Sequence, residues 1–171
     1  QSSCNKLFRK QLFEKLRYKK GIIYEDMQLL PQILDICEKV VLLNVPVYHY
    51  VKRSGSITEN KFSRWKYEGR KIADEAIDIC KQKYPSLVPY AYYYKLDSVN
   101  KMYEELILSV NRKEYKKEEL ILRVKICLCY LKCMRYTIIK KQFGPRMKNV
   151  TITAFLGAEL THKLIDWKAR I

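Results

Sequence analysis

From Phe62 to the end of the chain, apolar residues return every three or four positions with only short polar breaks. That period is the mark of α-helix, whose turn brings positions i, i+3, i+4 and i+7 onto one face. Trp65, Ile72, Ala73, Ala76, Ile77 and Cys80 define a first helix ending near Lys83. Pro85-Ser86 separates it from a second, about 87–110, which carries Tyr90, Tyr92, Tyr93 and Tyr94. A third is predicted over about 116–142, burying Leu120, Val124, Cys127, Leu128, Leu131 and Met134, with Gly144-Pro145 expected to end it. A fourth is predicted over about 150–168. Only 5 Gly and 5 Pro occur in 171 residues, too few for a sandwich of many short strands, and a 48% hydrophobic content is ample for a core.

The first sixty residues follow other rules. Leu12, Phe13 and Leu16 have helical spacing within 10–18, and Lys19-Lys20-Gly21 breaks the pattern. Glu25 and Asp26 then stand at the head of a helix, where the backbone dipole favours negative charge. Its apolar face continues through Leu29, Leu30, Ile33, Leu34 and Cys37, and Pro31 either fits the first turn or kinks the helix. Residues 40–43 and 45–51 are rich in β-branched and aromatic side chains and read as two short strands about Asn44. Such a pair is marginal alone and is expected to dock on helices or pair with another chain. The expected architecture is mainly α. Residues 61–171 form a bundle of about four helices, and residues 1–60 add a helix and a small two-stranded β element, α+β in character at the N-terminal end.

Charge narrows the partners. There are 34 Lys and Arg against 18 Asp and Glu, a net charge of +16. Between 120 and 158 the chain carries Arg123, Lys125, Lys132, Arg135, Lys140, Lys141, Arg146 and Lys148 and no acid. A one-signed stretch of that length attracts polyanions such as nucleic acid, an anionic membrane face or lipid-linked phosphate. The plainer alternative is a solvated face of a basic protein. The longest apolar run there, 126–131, is far short of the ~20 residues a spanning helix needs, so membrane contact would be peripheral.

Six cysteines fall at 4, 37, 80, 127, 129 and 133, several on apolar helical faces, and are expected as reduced, cytosolic thiols. Cys129 and Cys133 are one helical turn apart, but Cys127 lies about 200° around the helix from Cys129, so a zinc site is not expected.

The order of motifs is specific. Asn5-Lys6-Leu7-Phe8-Arg9-Lys10, Leu12-Phe13-Glu14, Gly21, Glu25-Asp26, Tyr48-His49-Tyr50 and then Arg53 with Ser56 resemble the second half of a glycosyltransferase family 2 catalytic domain. The likeness is to bacterial enzymes of capsular polysaccharide, exopolysaccharide or lipopolysaccharide synthesis. It covers about the first third of the chain, and the helical remainder resembles their variable C-terminal extension. On this resemblance residues 1–60 are the C-terminal segment of a GT-A type catalytic domain and 61–171 a basic helical module. The opening at Gln1, without an initiator Met, fits a piece of a longer protein.

The resemblance implies an inverting transfer of sugar from a nucleotide-sugar donor to a glycan acceptor, commonly lipid-linked. Asp26 is then the base that takes the acceptor's proton, with Glu25 its neighbour in the acidic pair. Taken alone, both acids do no more than complement a helix N-terminus. His49 is implied as a ligand helping to hold a divalent metal and the donor diphosphate, although a histidine between two tyrosines is by itself more often a satisfied or surface group. Arg53 and Ser56 lie in a cationic, hydroxyl-bearing loop suited to a diphosphate, and equally to an ordinary turn. Lys6 is a further candidate near the cleft. The paired Asp-x-Asp of the family's nucleotide-binding half does not occur in this chain. Manganese or magnesium is therefore expected in the longer parent and no cofactor in this piece, which alone is expected to be inactive. The implied location is the bacterial cytoplasm, peripheral at the inner face of the plasma membrane.

Two other classes compete. A helical nucleic-acid-binding protein would use the charge, with Tyr92, Tyr93 and Tyr94 as stacking groups. Those aromatics sit in a less basic region, and no helix-turn-helix, RNA-recognition or zinc-finger pattern is present, so nucleic acid is not the favoured partner. A non-catalytic adaptor, its helices serving for packing or homo-oligomerisation, is the third.

Overall fold

The computed structural model describes residues 3–21, 24–51, 62–63, 72–157, 160 and 163, without the side chains of 150 and 153. The chain divides into two compact units, Gln1–Glu59 and Asn60–Ile171. Among the described residues it is helical with no strand.

In the first unit, single 3-10 turns form at Ser3–Asn5 and Lys10–Phe13 and are followed by α1, Glu25–Ile36. The helical spacing of residues 10–18 therefore gives one short turn only. Phe13 packs instead between Phe8 and Tyr18, with ring centroids 5.6 and 5.9 Å away. Helix α1 buries Leu29 and Ile33 and leaves Leu34 exposed. Pro31 lies inside it, forfeiting one backbone donor without ending the helix.

The two expected strands do not form. Residues 40–51 are irregular, and their Val, Leu and Tyr side chains are exposed, Leu42 at 94%. Strand propensity is realised only when a neighbour completes the backbone ladder. No second strand supplies one among the described residues, and Pro46 lacks a donor altogether.

The second unit contains four described α-helices: α2 Ile72–Lys83, α3 Val88–Ile107, α4 Lys116–Cys133 and α5 Thr137–Leu156. Helix α3 is the centre. It begins beyond a 3-10 turn at Pro85–Leu87, and Pro89 in its first turn gives up only an N–H that has no helical partner there. Leu96, Val99, Met102, Tyr103, Leu106 and Ile107 are buried in one cluster with Leu122, Ile126, Cys129 and Cys133 of α4 and Ile139, Met147 and Ala154 of α5. Helix α2 carries Asp74 and Glu75 in its first turn and Lys81 and Lys83 in its last, matching its dipole. An ion pair between Asp74 and Lys95 ties it to α3.

Three sequence expectations are corrected here. The long third helix is broken at 134–136 into α4 and α5, where Tyr136 turns extended (φ −107°, ψ 112°). Helix α5 then runs straight through Gly144-Pro145. A side chain before proline normally collides with the ring in helical geometry, and Gly144 has no Cβ to do so. The buried face of α4 is also the opposite one. Leu122, Ile126, Cys129 and Cys133 are buried, whereas Leu120, Val124, Leu128 and Leu131 are exposed and Cys127 and Met134 half-buried.

Candidate active site

The acidic pair occupies the first turn of α1, where the chain emerges from an unusual bend. Tyr24, the residue before the helix, is left-handed at φ 69° and ψ 33°, and Gly21 just upstream has φ 77°. A left-handed tyrosine costs roughly 1–2 kcal/mol, and such strain concentrates at functional turns. Here the bend sets the direction in which Glu25 and Asp26 leave the backbone. Glu25 is exposed and Asp26 half-buried.

Both oxygens of Asp26 accept backbone hydrogens. The N–H of Met27 donates to Oδ1 at 2.8 Å, and the N–H of Ser3 donates to Oδ2 at 3.3 Å. The second bond joins positions 23 residues apart and holds the first 3-10 turn against the head of α1. Ser3 Oγ in turn accepts from the Tyr18 hydroxyl at 2.9 Å. Asp26 is thus oriented by a small network rather than projecting loosely from a helix end. Its Ser3 contact is the longer and weaker of the two, so Oδ2 is the oxygen with the greater acceptor capacity left.

Of the remaining first-unit candidates, Lys6 closes the turn that Asp26 holds, its N–H donating to the Ser3 carbonyl at 3.1 Å. Lys6 is half-buried and donates to Asn5 Oδ1 at 2.8 Å. His49 is exposed in the irregular stretch 40–51. Arg53 and Ser56 lie outside the described residues. No group of three or more His, Cys, Asp or Glu side chains suited to a metal ion occurs among the described residues.

In the second unit the eight cations have different employments. Arg123 donates from Nε to the Ala154 carbonyl at 2.8 Å and from a terminal nitrogen to the Phe155 carbonyl at 2.9 Å, closing the C-terminal end of α5. Arg146 pairs with Asp97 at 2.9 Å, and Lys132 lies 5.5 Å from the centre of the Tyr92 ring. Lys125, Arg135, Lys140, Lys141 and Lys148 are exposed. The tyrosines considered for stacking are engaged within the fold, Tyr92 against Tyr136 at 6.0 Å and Tyr93 against Phe143 at 4.0 Å. All six cysteines are free thiols. Burial pushes Cys129 and Cys133 up, Cys133 to about 12.

Comparison with known proteins adds one relationship. A stretch of 64 residues, 37% of this chain, is 36% identical to glycosyltransferase GlyA of Streptococcus pneumoniae serotype 4. The matched stretch is only 9% of that protein's length. No family model and no solved structure matches the chain. The partial match supports a relationship to a glycosyltransferase, the class that the order of motifs around Glu25-Asp26 resembles.

Proposed function

We propose that this chain is the C-terminal part of an inverting, family 2 type glycosyltransferase of bacterial cell-envelope polysaccharide synthesis. The observation that carries the reading is the 64-residue match to a named glycosyltransferase, in a chain whose own motif order resembles that class. In the proposed step, Asp26 Oδ2 removes the acceptor hydroxyl's proton while that oxygen attacks the anomeric carbon. The bond to the nucleoside diphosphate breaks on the opposite side, and the leaving group departs with its electron pair. Glu25, exposed and adjacent, contacts the acceptor or the loop that carries it. A divalent metal and the donor pocket belong to the rest of the parent, with Arg53, Ser56, Lys6 and His49 as this chain's contributions toward the diphosphate.

The acceptor in this reading is a lipid-linked glycan. The basic second unit keeps the catalytic part at the inner face of the plasma membrane, each Lys or Arg near an anionic surface adding about 1 kcal/mol. The test of the sugar-transfer reading is kinetic. In the intact parent, Asp26→Asn slows transfer by about 10²–10⁴ while donor binding persists, and retention of the full rate overturns the assignment. Calorimetry of the 171-residue chain with uridine-diphosphate sugars and manganese is expected to show no micromolar binding.

A further inference from the structure

Helix α4 has two apolar faces, and among the described residues only one is buried. Leu120, Val124, Leu128 and Leu131 form the second, a stripe about 16 Å long at 1.5 Å per residue. Their exposures lie between 51% and 61%. Arg123, on one edge of this stripe, holds the Phe155 carbonyl, which brings Phe155, 75% exposed, alongside α4. The outward face of α5 carries Ile152 and Phe155 together with Lys141 and Lys148, all exposed.

We propose that this stripe inserts its aliphatic side chains into the interfacial layer of an anionic lipid surface. The proposal rests on the membrane-face reading above and states how the contact is made. Charge complementarity selects the occupant. Exposed Lys125 lines one edge of the stripe, with Lys132 beside it reaching over the Tyr92 ring, and exposed Lys117 and Arg135 close its ends. Glu119 lies off this face by helical position and is bound by Arg112 through two bonds, and Glu118 falls on the Lys125 edge just before the stripe begins. No acid follows until beyond residue 157. An apolar stripe edged by lysine and arginine suits a helix lying in a headgroup layer, where stems follow the acyl boundary and charges reach the phosphates.

Other occupants fit less well. A second copy would bring two equally cationic faces within a Debye length of about 10 Å. Nucleic acid would match the cations and leave the aliphatic stripe in water. No helix among the described residues is long and apolar enough to cross a membrane, so the contact is interfacial.

The test uses the 171-residue chain and vesicles of phosphatidylcholine with or without phosphatidylglycerol, at low and high salt. Wild type is expected to bind the anionic vesicles and to weaken with salt. Leu128→Ser combined with Leu131→Ser, both exposed positions, is expected to weaken binding at least 10-fold with unchanged circular dichroism. Leu128→Trp is expected to add fluorescence that brominated lipid quenches. Salt-sensitive binding that ignores the serine pair, without quenching, overturns insertion and leaves the electrostatic reading standing. Absence of binding at low salt overturns both. A dimer in sedimentation that the serine pair dissociates assigns the stripe to a second copy and overturns the proposal.

Discussion

The side-chain amide of Asn111 grips the backbone of Phe62 on both sides. Asn111 Oδ1 accepts the Phe62 N–H at 3.0 Å, and Asn111 Nδ2 donates to the Phe62 carbonyl at 3.0 Å. Ser109 Oγ accepts the same N–H at 2.9 Å, and the Phe62 ring packs edge-on against Tyr115 at 5.0 Å. The clamp seats Phe62, 2% exposed, in the helical core from a position 49 residues away.

Replacing that amide separates its two roles. Asn111→Ala is expected to cost about 1–3 kcal/mol, chiefly through the unpaired carbonyl, because Ser109 still serves the N–H. Asn111→Asp keeps an acceptor but sets a carboxylate against the Phe62 carbonyl, so it should cost more. Phe62→Ala, which empties a core site, should cost about 3–5 kcal/mol. Urea midpoints give the order; equal midpoints for the Asn111 variants and wild type would show that the clamp contributes nothing.

The fork of Arg123 on the Ala154 and Phe155 carbonyls makes a second prediction. The last carbonyls of a helix have no helical partner, and one planar guanidinium meets two of them here. Arg123→Ala should cost about 1–2 kcal/mol, with faster amide exchange confined to the last turn of α5. Arg123→Lys retains the charge but loses the fork, so it should fall between the two. Exchange unchanged in that turn would refute the capping role.

How much of this could be read from residues alone depends on whether the deciding contact is local. The helices around Ile72 and Ile77, and around Leu96 to Ile107, followed from period, since one apolar face met one core. Helix α4 did not. Leu120, Val124, Leu128 and Leu131 are as apolar and as regular as Leu122 and Ile126 on the other side, and periodicity does not say which face meets α3. Val40 to Val51 failed for a related reason, because strand-forming side chains need a neighbouring strand that the described chain does not supply. Gly144-Pro145 looks like a stop, yet glycine is the residue that lets proline continue a helix. At the candidate site, Glu25-Asp26 at a helix head was legible. The left-handed Tyr24 and the Ser3 contact to Asp26 were not, because neither leaves a local pattern.

The two buried thiols of α4 predict a stability profile. Burial raises Cys133 from 9.0 to about 12, and the neighbouring Cys129 pushes it in the same direction. Cys129 is raised chiefly by burial as well. Because the folded values lie above the unfolded ones, the folded state holds its protons more tightly. Stability from these groups is complete below about pH 9 and is lost as pH climbs toward 12. The slope is at most about 1.4 kcal/mol per pH unit for each thiol. Urea midpoints between pH 7 and 10.5 should fall accordingly, and Cys133→Ala should flatten the fall. A thiol reagent at neutral pH should label exposed Cys4 and reach Cys129 and Cys133 only on unfolding. Fast labelling of Cys133 in the native state would contradict the burial on which this profile depends.

The sharpest consequence concerns Asp26. Asparagine has nearly the same shape and can still accept the Met27 N–H through its oxygen, so Asp26→Asn should leave α1 intact while its amide nitrogen gives up the Ser3 contact. What it loses is the carboxylate that the proposed step uses to take a proton, and general base contributions of this kind amount to about 10²–10⁴ in rate. Initial rates of sugar transfer by the intact parent should drop by that factor with little change in donor affinity. Glu25→Gln, at the exposed neighbour, should lower the rate less than about 10-fold if Asp26 alone is the base. Asp26→Glu keeps the charge but extends the side chain by one methylene past its Ser3 contact, so partial activity is expected. That ranking separates a base from a helix-capping acid. For a mere cap, all three variants would shift the thermal midpoint of the chain and leave the parent's turnover alone. A turnover loss far larger than the small midpoint shift from the lost Ser3 contact is what proton removal by Asp26 requires.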